Sequence, residues 1–177
     1  MRTRDDDLVA LSYEVRKSPN TIYNESTHKF EPILFLLVTD VTMTDEGTEI
    51  TQISVPRMVN VNGSQRVWVE SNNGGEQFAN TIRKKVRAEV IAFFNHSNKE
   101  TRIVTNSSNV MQSVIMPVDW ATRFPKFYKA MTHFLRIWRA NSHDDAPDCV
   151  TQAVEKEILT GNIKPYSQMR RGIKRRN

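Results

Sequence analysis

Apolar and polar residues alternate at the start of the chain. Val9, Leu11, Tyr13 and Val15 fall on one side and Ala10, Ser12, Glu14 and Arg16 on the other, the period of a half-buried strand. The run Asp5-Asp6-Asp7 before Leu8 leaves a helix start as the alternative there. KSPN (17–20) predicts a break. Ile33 to Met43 reads as a well-buried strand, which DEGT (45–48) turns back into a strand over Glu49 to Val55. Met58 to Val61 and Arg66 to Val69 flank Asn62-Gly63, a pair that accepts the positive φ angles of a tight hairpin. After the loop SNNGG (71–75), the spacing predicts a helix over 76–94. Phe78, Ile82, Val86, Val90 and Phe93 lie on one face, with Arg83, Lys84 and Arg87 pointing away. Thr101 to Thr105 and Val110 to Met116 read as strands joined by Asn106-Ser107-Ser108-Asn109. Pro125 suits the first turn of a helix whose apolar side carries Phe127, Met131, Phe134, Leu135 and Trp138. A last helix starts near Asp145, with Pro147 in its first turn, and stops at Gly161.

Short connections favour antiparallel pairing, because parallel strands need longer crossovers. The expectation is therefore an α+β fold: an antiparallel sheet of hairpins with about three helices packed mainly on one face. With no internal repeat and no long linker, residues 1–163 read as a single domain, followed by a basic C-terminal tail over 164–177. At 177 residues and 38% hydrophobic, with three Trp, the chain can bury a sizeable core. The longest apolar run, Ile33 to Val38, is too short to span a bilayer as a helix, so no transmembrane segment is expected. The charged start MRTRDDDLVALSYE lacks the apolar stretch of a signal peptide. A single cysteine, Cys149, excludes an internal disulfide and fits a reducing compartment. The four Asn-x-Ser sequons then read as polar turns.

Charge is unevenly placed. The net charge is +5, yet residues 164–177 alone hold six basic residues and no acid. Those six are Lys164, Arg170, Arg171, Lys174, Arg175 and Arg176. Such a block suits a polyanion without sequence preference. It also fits a nuclear-import patch or peripheral contact with an anionic membrane. Lys126, Lys129, His133, Arg136 and Arg139 recur at intervals of three and four along the helix after Pro125, and residues 124–142 contain no acid. Such a face can neutralise phosphates by releasing their counterions. The helix predicted over 76–94 is similar, with Arg83, Lys84 and Arg87 among four basic residues set against Glu76 and Glu89. Trp68, Phe94, Trp120 and Tyr128 read as core, with base stacking as the alternative.

Candidate chemistry is sparse. Neither a P-loop nor a dinucleotide-binding GxGxxG is present. Gly74-Gly75 reads as a loop rather than an anion cradle. SHDDAPDC (142–149) combines His143, Asp144, Asp145, Asp148 and Cys149 but lacks zinc-ligand spacing, so it reads as a helix start. A divergent metal-dependent nuclease would have to rest on Asp144, Asp145 and Asp148, and no cofactor is expected. The layout as a whole resembles the short matrix proteins of plant rhabdoviruses: the apolar hairpin around KFEPILFLLVTDV, a central helix and basic surfaces. That resemblance implies a non-enzymatic viral structural protein, in the virion or host cytoplasm, that self-associates, condenses a nucleoprotein and touches the inner membrane face. The reading is thus an assembly protein binding nucleic acid or nucleoprotein through its basic surfaces and tail. The rival is a regulatory protein-binding module with a nuclear-import tail.

Overall fold

The computed structural model describes residues 7–25, 27–134 and 144–159. In chain order the elements are β1 (Leu8–Asn24), β2 (Lys29–Thr44), α1 (Thr48–Val61), β3 (Arg66–Glu70), a 3₁₀ turn (Asn72–Gly74) and α2 (Gly75–Arg83). There follow β4 (Glu89–Phe93), α3 (Lys99–Ser113), β5 (Val114–Ile115), α4 (Trp120–Arg123), α5 (Pro125–Thr132), α6 (Asp145–Val154) and a π-turn (Glu155–Leu159). Among the described residues, no helix is long and apolar enough to cross a membrane.

The mixed α and β content is as expected, but the pairing and layering are not. β1 and β2 form a long antiparallel hairpin, whereas β5 joins β2 in parallel and β3 pairs with β4 in parallel. The β3–β4 pair is parallel because α2 carries the chain back between them, as a crossover must. KSPN does not end β1; the strand absorbs it as a register shift between Lys17 and Thr21, where Pro19 has no N–H to contribute to a ladder. A second shift leaves Thr39 of β2 as an extra residue, so Leu34 and Leu36 on one side of it and Val41 and Met43 on the other meet the same layer of helices.

Helices cover both faces. On one, Leu8 and Ala10 of β1 and Val67 and Val69 of β3 pack with Val55 and Val59 of α1 and Ala79 and Ile82 of α2. On the other, Val9 and Leu11 of β1 pack with Phe127 of α5 and with Ala146 and Val150 of α6, while Leu36 meets Ala153, Val154 and Ile158. The two small sheets therefore stand side by side between the same helical layers.

Three segments expected as strands or hairpins are helical or capping instead. α1 takes up 49–55 and 58–61 because Thr51, Val55, Met58 and Val59 bury one face at helical spacing, despite their β-branched composition. Asn62-Gly63 caps this helix rather than turning a hairpin. Gly63 takes φ 60°, Ser64 N–H donates to the Val59 carbonyl at 3.0 Å, and Gly63 N–H donates to Asn60 at 3.3 Å, the Schellman arrangement. The segments 101–105 and 110–113 belong to α3, whose start Asn98 caps by accepting the Thr101 N–H at 3.1 Å. The helix expected over 76–94 ends at Arg83, and Val90 and Phe93 belong to β4.

α3 is held to α6 by a buried ion pair. Arg102 Nε and Nη2 donate to Asp148 Oδ1 at 3.0 and 2.5 Å, with the two side chains only 3% and 7% exposed. Gln152 donates to the other Asp148 oxygen at 2.9 Å and to Glu70 of β3 at 2.7 Å, so the network reaches the second sheet. Burial pushes the Asp148 carboxyl pKa up, opposed by the adjacent guanidinium. Removing one partner strands the other charge. We expect Arg102→Met to lower unfolding free energy by about 3–5 kcal/mol, and Arg102→Met with Asp148→Leu to recover most of that loss in urea denaturation.

Candidate nucleic-acid interface

The cations singled out in the sequence separate into distinct groups once folded. Lys126 is exposed but already paired within the chain: its ammonium lies 2.6 Å from Asp7 and 3.7 Å from Asp45, and the hydrogen bond to Asp7 raises its pKa. Lys129 is exposed in the last turn of α5, a helix that ends at Thr132 rather than running on through 139. Arg136 and Arg139 lie outside the described residues, as do Lys164, Arg170, Arg171, Lys174, Arg175 and Arg176 of the tail.

Arg83, Lys84 and Arg87 come together at the end of α2 and in the loop before β4, joined by Lys85, the fourth basic residue counted in that segment, and by Arg57, which sequence reasoning missed. The reason lies in α1. Pro56 sits inside that helix and has no N–H, so the Gln52 carbonyl lacks its usual i→i−4 donor. Lys85 Nζ supplies one instead, at 2.9 Å. Asn60 of the same helix in turn donates to the Lys85 backbone carbonyl at 3.1 Å. The basic loop is thus fastened to α1 at both ends of one residue. Arg83 is fixed separately, its Nε donating to the Val90 carbonyl at 3.1 Å and its Nη1 to Asn80 at 2.5 Å. Arg57, three residues before Asn60 on the helix, is exposed beside the loop.

The loop concentrates cations that have no carboxylate partner: among the described residues, none pairs with Arg57, Arg83, Lys84, Lys85 or Arg87. Four cations within five consecutive residues therefore face solvent unneutralised, and their fields add. The sequence signal for Lys85 was present in the charge run, but the reading of 49–61 as strands hid the helix that places Arg57 beside it.

Two of the aromatic candidates are built in. Trp68 donates its indole N–H to Glu157 at 2.8 Å and lies under the Lys156 ammonium; Trp120 packs edge-on against Phe127 and Tyr128. Phe94 and Tyr128 differ from the expectation of core: they are 60% and 37% exposed, and Phe94 packs at a tilt against the His96 ring.

The acidic stretch at 144–148 forms the start of α6, as read from sequence, and its carboxylates are engaged by cations. Lys99 reaches Asp144 and Asp145 at 2.6 and 2.5 Å, and Arg102 holds Asp148. Burial alone would lower the Lys99 pKa, but its bonds to the two aspartates outweigh that and raise it. Burial also pushes the Cys149 thiol up to about 12, so it is overwhelmingly protonated at neutral pH. His143 lies outside the described residues. No known protein family, curated protein or solved structure matches the chain.

A double-mutant cycle tests how the loop is fastened. Lys85→Met should cost about 1 kcal/mol in the native background, because it leaves the Gln52 carbonyl without its donor. In a Pro56→Ala background the same change should cost almost nothing, since the N–H that alanine restores can bond that carbonyl.

Proposed function

We propose that the protein is a non-enzymatic structural or assembly protein that binds nucleic acid or a nucleoprotein through the basic loop 83–87, with Arg57 beside it and the C-terminal tail as a further contact. The observation that supports this reading is that Arg83 and Lys85 are held in place by backbone carbonyls and by Asn80, while among the described residues no carboxylate pairs with them or with Arg57, Lys84 and Arg87. A polyanion gains from such a surface without having to displace an internal partner. It releases its condensed counterions on binding, which makes the affinity steeply salt-dependent. Recognition of this kind follows the phosphate backbone and carries no base preference. An assembly role of the type found in short rhabdoviral matrix proteins, with self-association and residence in the virion or host cytoplasm, accords with this surface.

A second reading draws on the same helix. α1 leaves Ile53 and Val61 67% and 77% exposed on the side that carries Arg57. An apolar stripe beside cations suits an acidic protein surface, and so a regulatory or nucleoprotein partner. Salt separates the two, because apolar docking weakens little as salt rises.

The test is binding of full-length protein to single-stranded RNA across a salt series. Neutralising Arg83, Lys84 and Arg87 together to Gln should reduce the magnitude of the slope of log affinity against log salt by up to about 0.7 for each phosphate no longer neutralised, or about 2 in all. Lys126→Gln, which removes a cation already paired with Asp7, should leave the slope unchanged. Equal slopes for the triple variant and the native protein would overturn the assignment of this loop.

A further inference from the structure

Between the two sheets runs a cleft of about 1640 Å³ that the basic loop does not share. Its walls include every residue of β1 from Leu8 to Arg16 and every residue from Asn62 to Glu70, which ends with β3. Consecutive residues of a strand point to opposite faces, so an unbroken run lines a cavity only where the cavity follows the strand's edge. Among the described residues β1 pairs with β2 alone, and β3 with β4 alone. Among the described residues no backbone hydrogen bond joins β1 to β3.

The polarity of the β1 edge can be read from Cys149. Its sulfur donates to the Val9 carbonyl at 3.8 Å, and the Leu11 N–H points at the same sulfur. A strand residue directs its N–H and C=O to the same edge, and the next residue directs its own to the other. The backbone groups of Val9, Leu11, Tyr13 and Val15 therefore point away from β2; α6 takes the Val9 carbonyl and the Leu11 N–H through Cys149 and the Asp7 N–H through Asp145, and the groups of Tyr13 and Val15 face the cleft. Among the described residues, the Glu157 carboxylate spans the gap in side-chain terms, accepting from Tyr13 Oη at 3.2 Å and Trp68 Nε1 at 2.8 Å. The two helical layers cover the gap from both sides, with Val55 and Val59 on one and Gln152 and Ala153 on the other. Small-molecule sites occupy about 300–1,000 Å³, so this space suits a length of polypeptide.

Charge indicates which polypeptide. Nine acidic and three basic side chains line the cleft. Adding Lys126, Lys99 and Arg102, which hold some of these carboxylates from outside the cleft, still leaves nine acids against six bases. Residues 164–177 carry six basic residues and no acid. Lys156 and Glu157 are in the cleft wall and Leu159 is the last described residue, so the basic segment begins within five residues, up to about 17 Å of chain, of that wall.

We propose that this gap accepts an extended segment as an added strand between β1 and β3, and that the segment is the chain's own basic C-terminus, residues 164–177. Inserted there, it would lie about 4.8 Å from each neighbour and join the two sheets into one, in the manner of strand addition. The assignment does not rest on polyanion binding. It adds to it, because a tail seated in the cleft is withheld from phosphate until it leaves.

The test is amide hydrogen exchange, read residue by residue by NMR on the full-length protein without nucleic acid. A variant with Lys164, Arg170, Arg171, Lys174, Arg175 and Arg176 changed to Glu supplies the comparison. The outward amides of Tyr13 and Val15 should exchange at least about tenfold faster in the variant, while the inward amides of Ala10 and Ser12 keep their protection and report an intact hairpin. Glu14→Lys, at the exposed mouth of the cleft, should release the same outward amides with the tail unchanged, which covers the case of a tail variant that fails to fold. Equal exchange of the outward amides in the native protein and both variants would overturn the proposal. Protection that fades on dilution would overturn it as well, because it would assign the added strand to a second copy.

Discussion

The arrangement depends on one buried ion pair. Arg102 and Asp148 take two opposite charges out of water where α3 crosses α6, a cost that their mutual attraction repays only because the hydrogen bonds are complete. Arg102 Nη1 also donates to the Ser97 carbonyl at 3.2 Å, and Gln152 takes up the second Asp148 oxygen and passes on to Glu70. Asn106, one turn along α3, donates to the Arg102 carbonyl at 3.1 Å and to Glu155 at 2.9 Å. This polar seam fixes α6, and α6 then sets much else. Its apolar side supplies Val150 and Val154 to the main sheet, and its far end carries Lys156 and Glu157 to Trp68 on the smaller one.

The same logic divides the cations by role. Lys99, Arg102 and Lys126 each meet a carboxylate and hold one part of the fold to another. In the 83–87 loop, Arg83 and Lys85 are oriented by backbone carbonyls and an amide, which fix position while leaving the charge unspent. Pro56 is central to that difference, since its missing N–H creates the acceptor that Lys85 fills. A local defect in α1 thereby anchors the most basic exposed segment among the described residues.

What could be read from the letters follows from where each element hides its buried face. β1 and β2 were legible because Val9, Leu11 and the run from Ile33 to Val38 bury apolar side chains at strand spacing. α5 and α6 were legible from Pro125 and from the acidic start with Pro147. α3 was not, because the face it buries is polar: Arg102, Asn106, Asn109 and Ser113 stand at helical spacing, but hydrophobicity does not mark them. α1 was hidden by its β-branched residues, and Asn62-Gly63 serves a helix cap as readily as a hairpin. Of the candidate site, Arg83, Lys84 and Arg87 were legible as a charge run. Lys126 was misleading, because its partners Asp7 and Asp45 lie far away in sequence, and Arg57 joined the patch only through the fold.

The central claim is that free charge, not total charge, marks the binding surface. Titrating isotope-labelled full-length protein with a short single-stranded RNA, and following each backbone amide by NMR, addresses it most directly. The account predicts shifts concentrated at Arg57 and residues 83–87, with Lys99, Arg102 and Lys126 unmoved. Shifts centred on Lys126 and α5, with the 83–87 loop silent, would contradict it.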